Sequence, residues 1–223
     1  MLAENFDFVK RDIPGHVKLI AVSKTHPAET VREAYDLGQR VFGENKVQEL
    51  VSKAEQLPSD IEWHMIGHMQ SNKIKYISRF VSLIHGVDSE GLLHKINNEG
   101  RKINRVIPCL LQVYIAEEET KFGFSPEELR ILHGEGVTSE LPFVEICGLM
   151  GMATFTDDFN QVRKEFRLLY SLFTELKAGY YKDKPSFREI SMGMSNDYKI
   201  AIEEGSTMVR IGSALFGDRN YSK

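Results

Sequence analysis

KLIAVSKTHPAETVREAYDLGQRVFGEN (18–45) holds a strand, a helix and a second strand in one continuous run. Its ends, KLIAVSKT (18–25) and RVFGEN (40–45), are short apolar runs of the kind that fill strands covered on both faces. Between them, PAETVREAYDLG has Pro27 near a helix start and Gly38 just past its end, the usual asymmetry of helix termini. Six further runs repeat the strand signal: EWHMIGHM (62–69), FVSLIHGVD (80–88), IPCLLQVYI (107–115), FVEICGLMGM (143–152), FREISMGM (187–194) and TMVRIGSALFG (207–217). Helical patterns stand between them. The longest is DDFNQVRKEFRLLYSLFTELK, with Val162, Phe166, Leu169 and Phe173 on one face. Ser125 and Glu128 form a capping-box start around Pro126.

Strand and helix alternate eight times, which predicts a parallel sheet. Eight units in 223 residues fit a closed (β/α)8 barrel better than an open, doubly wound sheet, although such barrels commonly run to ~250 residues. No linker or low-complexity tract interrupts the pattern, so residues 1–223 are read as one domain. Residues 1–17 are expected to form a short helix that closes the bottom of the barrel.

The chain is 42% hydrophobic and 27% charged, ordinary values for a soluble globular protein. A net charge of −4 gives no global field towards nucleic acid or an anionic membrane. No apolar stretch reaches the roughly 18 residues of a membrane span. The N-terminal MLAENFDFVKRD has acids and lacks the apolar run of a signal peptide. The expected compartment is the cytoplasm. Cys109 and Cys147 lie in apolar runs and are expected as buried, reduced core residues. His64 and His68 have an i, i+4 spacing, but Met65 replaces the glutamate of a zinc-protease helix and the run reads as a strand, which argues against zinc. His26, His85 and His94 are expected on the surface or in loops.

In a barrel of this type the active site lies at the C-terminal ends of the strands. Lys24 stands at the first, on the strand face of Ile20 and Val22, so it points to the barrel mouth. One reading is a snorkelling lysine; the other is a desolvated amine ready to condense with an aldehyde. The loops after strands seven and eight, SMGMSNDYKIA and IGSALFG, stand where such barrels often hold a phosphate. Gly193 and Gly212 allow close backbone approach there, and Ser191, Ser195 and Ser213 can donate hydroxyl hydrogen bonds. Arg210 sits within an apolar strand, where an unpaired charge is costly. It is expected to meet either a structural carboxylate or a ligand acceptor such as a ring nitrogen. The Met-rich stretches GLMGMA and SMGMS either pack or make soft contacts to an aromatic ligand.

Several of these segments together resemble the pyridoxal phosphate homeostasis protein family: AVSKTHP, FGENKVQEL, WHMIGHMQSNK (63–73), KFGF (121–124), EICGLMGMATF and SMGMSNDYKIAIEEGSTMVRIGSALFG. The resemblance runs from the first strand to the last. His68 stands where many members have Pro, and Met69 where they have Leu. The resemblance implies a barrel like the N-terminal domain of alanine racemases and pyridoxal 5′-phosphate (PLP) as cofactor. It implies that Lys24 is the Schiff-base lysine and that the Ser191–Ser195 loop, with Met192 and Gly193, holds the phosphate together with Gly212 and Ser213. Arg210 would lie at the pyridine nitrogen, with Asn45, Met150 and Met152 lining the pocket. Lys121 matches a lysine of a looser second PLP contact.

Two functions follow. One is a carrier that buffers and delivers PLP for vitamin B6 homeostasis, as a monomer, exchanging with apo PLP-dependent enzymes and free amino acids. The other is an amino-acid racemase of low activity. A racemase needs an acid/base group on each face of the α-carbon; Lys24 serves one, and the barrel is expected to take up the whole chain, leaving no second domain for the other. A guanidinium does not give up its proton, so Arg210 at the ring nitrogen weakens the ring as an electron sink. Both points favour the carrier and a chain that is not an enzyme.

Overall fold

The computed structural model describes residues 1–117 and 122–217. Eight strands pair in sequence order: β1 (Lys18–Val22), β2 (Val41–Glu44), β3 (Glu62–Met65), β4 (Leu83–Val87), β5 (Ile107–Val113), β6 (Val144–Gly151), β7 (Glu189–Ser191) and β8 (Met208–Ile211). All pairs are parallel, and β8 returns to β1 to close the barrel. The crossovers carry α2 (Ala28–Asp36), α3 (Val47–Gln56), the single turn α4 (Ile74–Ile77), α5 (Glu90–Ile103), α6 (Pro126–Gly134), α7 (Phe159–Ala178) and α8 (Tyr198–Glu203). A one-turn α9 (Ser213–Phe216) follows β8. The expected (β/α)8 barrel is the fold observed. Among the described residues no helix is long and apolar enough to cross a membrane.

Local signals behave as their chemistry dictates. Pro27 caps α2, and Gly38 beyond its end has φ 90°, a left-handed conformation that costs glycine little. The Ser125 hydroxyl accepts from the Glu128 N–H while the Glu128 carboxylate accepts from the Ser125 N–H, a complete capping box. On α7, Val162, Phe166 and Leu169 are buried against the sheet, and Phe173 stacks on Phe187. The register between β5 and β6 slips after Cys109, at Gly148. A Cβ on Gly148 would lie 1.8 Å from the Glu189 carbonyl oxygen, so only glycine passes there.

The helix N-terminal to β1, α1 (Leu2–Asp12), does not close the bottom. It packs on the outer layer, with Phe6 edge-on to Phe216, the Asn5 side chain donating to the Leu215 carbonyl, and the Tyr198 hydroxyl donating to Asp12. The reason is coverage: α9 has only one turn, and the buried faces of Phe6 and Val9 fill the seam that a full helix would otherwise cover.

Two cores result. The larger lies between sheet and helices. The smaller fills the barrel interior with Ile20, Leu83, Leu110, Met150 and Met208. The interior is not wholly apolar, because His64, His85, Ser191 and Arg210 are buried there too. His85 was expected at the surface; it is fully buried, because it faces inward from the middle of β4. Cys109 is buried as expected, whereas Cys147 is only half-buried.

Candidate functional site

A cavity of about 750 Å³ opens where the strands end. Its walls include Lys24, Asn45, Met152, Ser195, Arg210, Gly212 and Ser213. These seven of the eleven residues singled out from the sequence come together. Four do not reach it. Met150 packs in the interior layer beneath. Ser191 is fully buried below Arg210. Met192 turns outward into the layer between sheet and helices. Gly193, at φ 93°, serves the turn: a Cβ there would meet Ala201 at 2.5 Å. Strand residues alternate between faces, so consecutive residues of SMGMS do not all face one ligand. Lys121 lies outside the described residues.

Lys24 follows β1 by two residues and keeps the inward parity of Ile20 and Val22. Both neighbours are pinned. The Ser23 hydroxyl donates to the Glu44 carboxylate at 2.6 Å, and the Lys53 ammonium donates to the Ser23 carbonyl at 2.8 Å and to Glu44 at 2.6 Å. On the other side the Thr25 N–H donates to Glu49 Oε2 at 2.8 Å. Thr25 has φ 68°, unfavourable for a β-branched residue. Burial raises the Glu44 pKa, while the Lys53 charge and the hydrogen bonds from Lys53 and Ser23 pull it back. The second carboxylate oxygen of Glu44 has no hydrogen-bond partner among the described residues. The sequence reading missed this anchor; its one local signal is Glu49 and Lys53 at an i, i+4 spacing on α3.

Arg210, on β8, is 4% exposed. Its Nη1 donates to the Ser191 carbonyl at 2.8 Å and to the Ser191 hydroxyl at 2.6 Å, and its Nη2 donates to the Gly151 carbonyl at 3.1 Å. All three acceptors are neutral. Burial lowers the Arg210 pKa to about 10, partly offset by the charge of Asp197, so the side chain stays a cation at neutral pH. Ser195 closes the far wall: its hydroxyl receives the N–H groups of Gly212 at 3.3 Å and Ala214 at 3.5 Å.

Other groups on the cavity wall were not expected. His68 pairs with Asp88 at 2.8 Å and stacks on Phe122 with ring centroids 4.5 Å apart. Gln112 holds the Phe122 carbonyl at 2.7 Å. His26 lines the cavity against Phe216. No group of three metal-ligating side chains occurs among the described residues.

Residues 1–220 match the family model described as alanine racemase, N-terminal domain. The chain is 45% identical over 205 residues to the pyridoxal phosphate homeostasis protein of Aquifex aeolicus, covering 92% of this chain and 88% of that one. Two solved structures of PipY from Synechococcus elongatus superpose closely, each covering 97% of this chain and 100% of PipY. The one without PLP is 37% identical with a TM-score of 0.89. The one with PLP bound is 36% identical with a TM-score of 0.85. By sequence and by fold the chain belongs to the alanine racemase N-terminal domain family, among the pyridoxal phosphate homeostasis proteins.

Proposed function

We propose that this protein binds PLP and serves as its carrier, buffering the free cofactor and passing it on within the cytoplasm. The observation that supports this most is one cavity with Lys24 and Arg210 on its walls and the Ser195–Gly212–Ser213 cradle beside them. The cavity chemistry fits the cofactor. Arg210 has five N–H donors, and three are used on Ser191 and Gly151, which leaves donors for a ring nitrogen. The Ser195 and Ser213 hydroxyls suit a phosphate, which would take over the long N–H contacts that Gly212 and Ala214 make to Ser195. Asn45 and Met152 complete the walls. PLP supplies an aldehyde that condenses with primary amines. Lys24 supplies such an amine, and the Glu44–Lys53–Glu49 anchor holds its backbone in place.

Arg210 separates carrier from enzyme. A permanent guanidinium offers no proton to a ring nitrogen, so the electron-withdrawing help that carbanion chemistry requires is weak. The carrier acts as a monomer, and its cavity is open enough for an incoming lysine or free amino acid to reach Lys24. One observation favours a second reading, a weak amino-acid racemase: His68, held by Asp88, is an acid/base group on the same cavity wall.

The test is to load the purified chain with PLP, reduce it with borohydride and map the modified peptide. Label on Lys24 supports the binding reading; stable label elsewhere with Lys24 unmodified refutes it. The loaded protein is then given L-alanine, L-serine, L-lysine and L-glutamate, with chirality, keto acid and carbon dioxide followed. Transfer of PLP to an apo-enzyme without product supports the carrier. Sustained turnover near the ordinary ~1–10³ per second overturns the carrier, and slower but repeated racemisation supports the weak racemase.

A further inference from the structure

The barrel interior holds two histidines that the cavity chemistry does not use. They form a continuous chain with its floor. Arg210 Nη1 lies 2.6 Å from Ser191 Oγ, Ser191 Oγ lies 2.9 Å from His85 Nδ1, and His85 Nε2 lies 2.9 Å from His64 Nδ1. Exposure is 4% for Arg210, 2% for His64 and zero for Ser191 and His85. Residues from β3, β4, β7 and β8 thus meet across the interior.

We infer that His85, backed by His64, is a positioning residue that orients the Arg210 guanidinium through Ser191, by hydrogen bonds running one way: Arg210 to Ser191 to His85 to His64. This inference rests on the reading of Arg210 as the group that meets a ligand ring nitrogen. The direction follows from counting protons. Arg210 only donates, so Ser191 Oγ accepts from it. The Ser191 hydroxyl proton then needs an acceptor, and His85 Nδ1 is the one in reach. A neutral imidazole that accepts at Nδ1 carries its proton at Nε2, so His85 donates to His64 Nδ1, and His64 is also the Nε2–H form. The reverse direction would leave the Ser191 hydroxyl proton without an acceptor among the described residues, in a fully buried site. A doubly protonated His85 would put two cations on either side of one hydroxyl. Burial holds both histidines neutral, His64 down to about 3, and the Lys18 charge acts in the same sense.

The consequence is a guanidinium held at a fixed angle, with its unused donors turned to the cavity. Two measurements test it. The first uses the chain without cofactor: nitrogen-15 spectra of labelled histidine should place His85 and His64 in the Nε2–H form at neutral pH. A protonated Nδ1 on either overturns the inference. The second compares binding of PLP with binding of its 1-deaza analogue, which has CH in place of the ring nitrogen. His85→Leu should weaken PLP binding at least about tenfold, the low end of what one hydrogen bond to a charged group is worth, and leave the analogue nearly unchanged. His85→Asn restores an acceptor near the Nδ1 position and should recover most of the loss. Ser191→Ala should match His85→Leu. Equal losses for both ligands would show general damage to the barrel and overturn the positioning role. If the unmodified chain binds neither ligand, the PLP reading itself falls, and the nitrogen-15 result still decides the direction of the chain.

Discussion

The buried histidines make a stability prediction that needs no ligand. His64 titrates in the unfolded chain near 6.5 and in the folded barrel near about 3. Between those values the unfolded chain binds a proton that the native state does not. Stability therefore rises with pH through this window, is fully present above it, and falls as acid is added. At pH 5 the gap below 6.5 is about 1.5 pH units, which at 1.36 kcal/mol each is about 2 kcal/mol lost relative to pH 7. That is a large fraction of a typical ~5–15 kcal/mol total. His85 is pushed the same way. Other groups also titrate on the way down. Glu175 and Glu204 are lowered by their arginine partners and weaken the fold in acid, whereas Glu44 is raised and opposes them. A difference measurement removes these shared contributions. Urea unfolding of the native chain and of His64→Gln should be run at pH 7 and pH 5. The native chain should lose about 2 kcal/mol more than the variant over that interval, whatever constant penalty the substitution carries. Parallel losses in the two proteins would show that His64 titrates normally when folded, and would refute the buried neutral assignment.

Three further outcomes are expected. Lys53→Met leaves the Glu44 carboxylate buried without its cation and should destabilise the fold by about 3–5 kcal/mol at neutral pH; the penalty should shrink in acid as Glu44 takes up a proton, and urea melts at two pH values check both. Ser195→Ala combined with Ser213→Ala should weaken PLP retention at least about tenfold, read by equilibrium dialysis; unchanged retention would assign the phosphate to the backbone amides alone. Ser125→Ala removes the hydroxyl from the α6 capping box and should cost about 1 kcal/mol, visible as a lowered thermal midpoint with PLP binding intact.

The strand–helix alternation was legible because parity and period are local properties, and so were the Pro27–Gly38 and Ser125–Glu128 termini. Lys24, read as inward from its parity with Ile20 and Val22, and Arg210, read as inward from its apolar strand, both line the cavity, as does Met152, which only the family resemblance had suggested. The same parity argued against taking SMGMS as a block, and Met192 shows the cost of ignoring it. His85 was missed because an unbroken apolar strand does not say which residues face the interior. The Glu44–Lys53–Ser23 anchor and the outer position of α1 depend on contacts between distant segments, which no local pattern encodes.

The seam covered by α1 has a temporal side. Lys18 pairs with Met208, so the first strand is hydrogen-bonded to the last, across nearly the whole sequence. A pairing that spans so much chain makes a large demand on loop entropy and forms slowly. During synthesis β1 waits with one edge unpaired until β8 has been made, and the apolar faces of Phe6 and Val9 wait with it. An unpaired edge beside an uncovered apolar patch is the state most prone to association with other chains. For this barrel, closure is therefore the step at which folding and aggregation compete.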